Sequence, residues 1–483
     1  MSIETVDVLI VGAGLSGIGA ACHLKRLCPG KRFAIVEARA TLGGTWDLFR
    51  YPGVRSDSDM YTLGYSFRPW KGAKAIADGP SILSYLQETA RDEGIAPHIR
   101  FGQRVVSAAW SSSDAMWTVG LQRDNGLTFE MRCSFLLMCS GYYDYAQGYT
   151  PEFAGRESFA GRVVHPQHWD ESIDFAGKRV VVIGSGATAV TLVPELAARA
   201  AHVTMLQRSP TFMVTRPSVD GIAIALRKAV GTRMGYAITR WKNLLYGMYI
   251  FRLCRRRPAF VKDRLIKLVQ GQLDAGYDVA THFTPRYNPW EQRLCLVPDG
   301  DFFKAVKAQR VSIVTDHITH FTPSGLMLAS GKELPADVVV TATGLNLRMT
   351  GGLAVTVDGR AIASNELVSY KGLMFAGMPN FASVFGYTNA SWTLKADLAS
   401  TYVCRLLNHM QAKGLRQCVP VADDSTLPLA PWVDFSSGYF QRVIDQLPKQ
   451  GTRKPWKLNQ NYIADLITLR FRAVDDGVLR FAA

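Results

Sequence analysis

The chain has 483 residues, 48% hydrophobic and 20% charged, which excludes a disordered protein and leaves room for two or three domains with a large core. The net charge of +15 raises nucleic acid as a partner, but 12 Lys and Arg against 2 Asp between Asp220 and Gln270 put a surplus of +10 in one segment, with no zinc spacing or RNA-binding signature, so no nucleic acid is expected. None of the 8 cysteines stands in C-x-x-C spacing, which sets aside a dithiol reductase and a metal site and fits a cytoplasmic protein with reduced, buried thiols.

Met1 to Val11 carries Glu4 and Asp7 and no basic stretch, so no signal peptide is expected, and Val8 to Cys22 is too short and glycine-rich to span a bilayer. Val6 to Val11 is an apolar run of the kind that forms a buried parallel strand, and Gly12-Ala-Gly14-Leu-Ser-Gly17 follows it at once, then a helical pattern through Leu24. The first glycine makes the tight turn, the second lets backbone approach a pyrophosphate, and the third packs helix on strand. A second strand, Phe33 to Val36, ends in Glu37, whose carboxylate can accept ribose hydroxyls. This reads as the FAD site.

The pattern returns at Arg179 to Ile183, followed by Gly184-Ser-Gly186-Ala-Thr-Ala189 and an apolar helix through Leu196. Ala189 in place of a third glycine is tolerated where only helix packing is at stake. The next strand, Val203 to Leu206, ends in Gln207-Arg208-Ser209 with no acid. A guanidinium there can grip a 2′-phosphate, so the second site reads as one for NADPH, the alternative being a surface arginine at a strand end. Apolar residues at helical spacing, among them Leu244, Leu245, Met248 and Leu253, sit beside Arg252 and Arg255-Arg-Arg257 in the basic segment. Two readings stand for it: a solvated helical subdomain, or peripheral contact with anionic membranes through residues 220–270. Pro335 to Gly344 reads as a last strand and glycine turn returning to the FAD sheet.

The expected fold class is α/β, with two Rossmann-like dinucleotide-binding domains and a helical insertion. The FAD domain is split, 1–150 and 331–483, around an NADP domain at 151–219 and 281–330 that carries the basic helical insertion at 220–280.

Two long motifs then resemble one family, the class B flavoprotein monooxygenases and within it the type I Baeyer–Villiger monooxygenases. One comprises Phe159, Gly161, His165, Trp169 and Asp170; the other comprises Gly43, Gly44, Trp46, Tyr51, Pro52, Gly53 and Asp57. The Trp-Asp ending of the first favours the Baeyer–Villiger branch over the flavin-containing N- and S-oxygenases. Gly44-Thr45-Trp46-Asp-Leu-Phe-Arg-Tyr-Pro-Gly53, Arg293-Leu-Cys-Leu-Val-Pro298 and Gly386 to Lys395 are similar to the mycobacterial monooxygenases that activate thioamide prodrugs. The resemblance implies that NADPH reduces FAD, that a peroxyflavin forms with O2, and that it inserts oxygen into a small ketone or oxidises a sulfur-containing substrate. It implies Arg293 as the positive charge at the reacting centre and Asp57 as the carboxylate that orients it. Many relatives carry a lysine before this arginine, where the chain has Gln292, which leaves the phosphate contact to Arg208. His165 is expected to act through hinge geometry, with a satisfied linker histidine as the plainer reading, and Trp46 and Trp169 serve either as packing or as ligand contacts. The rival activities are an S- or N-oxygenase without ester formation and an NADPH oxidase or reductase.

Overall fold

A computed structural model describes residues 3–424 and 426–483. β1 (Glu4–Val11) is buried from Val8 onward on both faces, as a central parallel strand must be. It turns through Gly12 into α1 (Leu15–Leu27), and β2 (Phe33–Val36) returns parallel to it, Val8 opposite Phe33. β3 (Ile99–Arg100) extends the sheet past β2. On the other side, β4 (Gln103–Ser111), β5 (Met116–Arg123) and β6 (Thr128–Met138) form an antiparallel meander whose last strand runs parallel to β1. β7 (Tyr143–Gly148) then leaves this sheet.

The second sheet contains β8 (Arg162–Val164) and β9 (Arg179–Ile183), the latter leading through Gly184 into α2 (Ala187–Ala197) and back in β10 (His202–Gln207). α2 buries Ala189, Val190, Leu192, Val193 and Leu196, and each fully buried Val or Leu side chain contributes about 1.5–3 kcal/mol. Two helices follow, α3 (Gly221–Arg256), kinked at Gly231, and α4 (Pro258–Gln270). β11 (Val311–Thr315) and β12 (Val338–Thr341) complete the sheet, in the order β11-β10-β9-β12-β8, all parallel.

β12 corrects one expectation. The strand read from Pro335 to Gly344 does not join the first sheet but lies between β9 and β8, Val338 facing Val180 on one side and Arg162 on the other. An all-apolar strand ending in a glycine turn suits the centre of either sheet, so its pattern does not choose. The crossing back comes just after, in β13 (Leu345–Leu347), which pairs antiparallel with β7, so that the outward and return connections form one ribbon. β14 (Ala354–Val357) and β15 (Arg360–Ile362) extend the β4 edge, and β16 (Phe381–Ser383) is the strand that returns, parallel to β6 with Phe381 opposite Leu136. α5 (Trp392–Ala412) packs along α1, and α6 (Tyr462–Leu466) lies near the end of the chain.

One cation of the basic segment is internal. Arg240 of α3 is buried, donates to the carbonyls of Tyr61 (2.8 Å), Thr62 (3.2 Å) and Gly64 (2.7 Å), and meets Asp397 of α5 at 3.3 Å. Leu244 and Met248 on the same side of α3 pack with Tyr387 and Leu394. No helix among the described residues is long and apolar enough to cross a membrane.

Candidate functional site

At the first glycine-rich turn the backbone requires what glycine provides. Gly12 has φ +106°, and a Cβ there would stand 2.6 Å from the Cys139 carbonyl oxygen. Gly14 and Gly44 face each other, so that a Cβ on Gly44 would come within 3.1 Å of the Gly14 Cα. Neither α1 nor α2 has a side-chain cap at its N-terminus, which leaves backbone N–H groups free for an anion. The Ala13 N–H donates to Glu37 Oε2 (2.8 Å) and the Arg39 N–H to Oε1 (2.9 Å). Burial pushes the Glu37 carboxyl above its ordinary value, and the two N–H groups oppose that without cancelling it.

A cavity of about 550 Å³ runs from this turn into the space between the two sheets. Gly12, Gly14, Glu37, Gly44, Thr45, Trp46, Asp57 and Arg293 all line it, and α2 reaches it through Ala187, Thr188 and Thr191. Gly17 stands behind the wall: its Cβ would fall 1.8 Å from the Gly12 carbonyl oxygen, so this glycine serves helix packing. The Thr45 hydroxyl lies 3.2 Å from that of Tyr145, which lines the same space.

Arg293 Nη1 donates to Asp57 Oδ2 at 3.0 Å, and about a third of each side chain (34% and 36%) is open. Burial alone would weaken the guanidinium's hold on its proton, but the Asp57 carboxylate foremost reverses this, and the phenols of Tyr439, Tyr142 and Tyr143 surround it. Those phenols were not legible in the motifs. The Tyr142 and Tyr143 hydroxyls lie 3.0 Å apart, and burial pushes both up, so they remain neutral hydrogen-bond donors at neutral pH. Tyr142 stacks on Trp392 at 5.2 Å, and Trp392 Nε1 donates to Ser16 Oγ (2.8 Å), tying the start of α5 to the first glycine turn. A pair of adjacent tyrosines just past β6 was the available signal.

The remaining expected residues stand outside this lining. Gly184 has φ +128°, with the Ala342 carbonyl oxygen 2.3 Å from its would-be Cβ; space beside Gly186 is open; Ala189 is buried in the core. Arg208 is exposed at the end of β10, and the neighbouring Ser209 carbonyl accepts from Ser185 Oγ at 3.0 Å. Phe159 packs on Phe321, and a Cβ on Gly161 would meet the Asp337 carbonyl oxygen at 2.4 Å. His165 accepts the Gln167 N–H at Nδ1 (3.1 Å), so its proton sits on Nε2, which donates to the Gly344 carbonyl (3.0 Å). Its ring fills the space beside Gly148, where a Cβ would fall 1.9 Å from Cε1, and so it touches β7 and the residue that leads into β13. Trp169 packs edge-on to Phe175, and Asp170 pairs with Arg162 and accepts from Ser172. Both are structural in these contacts rather than part of the cavity.

The bare glycine cradle, the paired acceptors of Glu37 and a cavity reaching the second turn fit one dinucleotide held along β1 and α1 with a second presented to it from α2.

A family model described as flavin-binding monooxygenase-like matches residues 75–243, and one for an NAD(P)-binding Rossmann-like domain matches residues 10–74. The chain is 53% identical over 480 residues to the FAD-containing monooxygenase EthA of Mycobacterium tuberculosis (strain ATCC 25618 / H37Rv), covering 99% of this chain and 98% of that one. It is 46% identical over 480 residues to the probable FAD-binding monooxygenase AlmA of Acinetobacter sp, covering 99% and 96%. Among solved structures, an oxidized steroid monooxygenase bound to NADP superposes with a TM-score of 0.74 at 25% identity, over 87% of this chain and 88% of that one. OTEMO in complex with FAD and NADP (form 1) shares the fold, at a TM-score of 0.70 and 23% identity over 87% of each chain.

Proposed function

The chain belongs to the FAD-containing monooxygenases, and from that premise we propose that it consumes NADPH to insert one oxygen atom of O2 into ketones, giving esters, and to oxidise sulfur in thioethers or thioamides. Bound FAD, once reduced by NADPH, supplies the activation of O2. The chain's own residues supply the rest. Gly12, Gly14 and Gly44 let backbone approach the pyrophosphate, and Glu37 accepts the ribose hydroxyls. Arg208 grips the 2′-phosphate of NADPH, and Thr188 and Thr191 line the path by which the second nucleotide approaches the first.

Arg293 carries the reading. It is a cation held by Asp57 and opening on the cavity between the two glycine turns, where negative charge develops on oxygen in either reaction. A fixed charge held by a carboxylate needs little reorganisation as the reaction proceeds, and the buried phenols of Tyr142 and Tyr143 lie close to it.

The test couples NADPH consumption and O2 uptake to mass spectrometry of products from aliphatic ketones, aryl ketones, thioethers and thioamides. Esters and sulfoxides in proportion to NADPH are expected. Peroxide release with no oxygenated product would overturn the proposal in favour of an oxidase, and sulfoxides without any ester would confine it to sulfur.

A further inference from the structure

The outward face of α3 is inverted for a surface helix. Beyond Gly231, Met234, Ile238, Trp241, Leu245 and Tyr249 recur three and four residues apart and share one face, and they are 41–62% exposed. Tyr236, Thr239, Arg240 and Leu244 are buried on the other side. From Met234 to Phe251 the only charged residues are the buried Arg240 and Lys242, which Asp220 holds at 2.8 Å. Arg252 and Arg256 then continue the same stripe with positive charge.

The stripe does not end with α3. Trp241 meets Tyr462 of α6 edge-on at 5.9 Å, and α6 with the helical turn after it exposes Ile463, Ile467 and Phe471 at four-residue spacing, 37–68% open. Between the two segments lies a cavity of about 290 Å³ lined by the cations Arg252, Lys454 and Arg472 together with Ile463 and Ile467, and no carboxylate among the described residues lines it.

We propose that this face docks on an anionic lipid bilayer, with the apolar stripe entering the interface and the cationic cavity receiving a lipid phosphate. The composition argues for that occupant. Trp241 and Tyr249 belong to the residue types that favour the boundary between headgroups and acyl chains, and the adjoining cations match an anionic surface. A second copy of the chain would bring the same cations against each other, since the segment carries 12 Lys and Arg against 2 Asp. The apolar stripe and the phosphate cavity lie side by side on one surface, as a bilayer presents tails and headgroups together.

The test is co-sedimentation of the full-length, FAD-loaded protein with vesicles of phosphatidylcholine alone or mixed with phosphatidylglycerol, in low and high salt. Binding to the mixed vesicles should be about tenfold or more tighter than to the neutral ones, and should weaken with salt. Leu245→Asp with Ile467→Asp should lower binding about tenfold or more, and Arg252→Glu should remove the anionic preference. All these positions are at the surface, and an unchanged melting temperature and flavin content confirm that the variants are folded. No binding to either vesicle, equal binding to both, or full binding by the double aspartate variant overturns the proposal. So does a change from dimer to monomer in that variant with vesicle binding intact, which would assign the face to a second copy.

Discussion

In the proposed function Arg293 and Arg208 divide the chemistry between them, and their substitution should separate its steps. In Arg293→Ala the protein should retain yellow FAD and NADPH should still bleach it, while product formation drops by about 100-fold or more, the scale of losing one oxyanion donor. Rapid-mixing absorbance, first without oxygen and then with it, distinguishes the half-reactions; a variant that converts its best ketone at a near wild-type rate would remove Arg293, and with it Asp57, from the proposal. In Arg208→Ala the requirement for NADPH should rise about ten- to a hundredfold, with NADH little affected, since one charge-assisted contact is worth roughly 1.5–3 kcal/mol. Equal weakening for both nucleotides would mean that the side chain holds structure. Arg293, Asp57, Glu37 and the glycines were legible because each belongs to a pattern confined to a few residues of sequence. Tyr439 was not. It reaches Arg293 from a different stretch of chain, and nothing in its neighbours Gly438 and Phe440 marks it as part of a site.

Two elements depend on a single polar side chain, and each yields a measurement. The β7–β13 ribbon is the double crossing between the sheets, and a neutral His165 ring packs on Gly148 and bonds to Gly344 at the ribbon's base. Burial holds the His165 pKa below the ordinary 6.5, so between the two values the unfolded chain binds a proton that the folded one does not. The stabilisation is therefore present above about 6.5 and is lost as pH falls through the lower, folded value. Thermal melts across that range should show the loss in the wild type and a flatter profile in His165→Gln; identical profiles would mean that the ribbon does not sense the ring. α3 is braced by Arg240, and removing it leaves Asp397 buried with only His23 and the Ser66 N–H for partners. Arg240→Ala should lower the unfolding free energy by about 3–5 kcal/mol, and Arg240→Ala with Asp397→Asn by less, read from denaturant melts. A single variant as stable as the wild type would show that the brace is dispensable. Helical periodicity marked α3 from the sequence, but not which of its cations turns inward, because Arg240 is distinguished only by the carbonyls of Tyr61, Thr62 and Gly64 that happen to converge on it.

The division into two nucleotide-binding sheets was legible because each begins with its own strand, glycine turn and helix. The assignment of later strands was not. Val338 to Thr341 and Phe381 to Ser383 are both short and buried, and only pairing partners far away in sequence decide which sheet takes which. This arrangement has a consequence in time. A chain emerges from the ribosome N-terminus first, and the second sheet has all five of its strands once Thr341 is made, whereas the first, begun at Glu4, still lacks β16 and the Trp392 that ties α5 to its glycine turn. The domain started second is the first that can be finished. Translation thus leaves β1 and its bare glycine turn waiting beside a neighbour that can already close, and the flavin pocket cannot be completed until Trp392 is made.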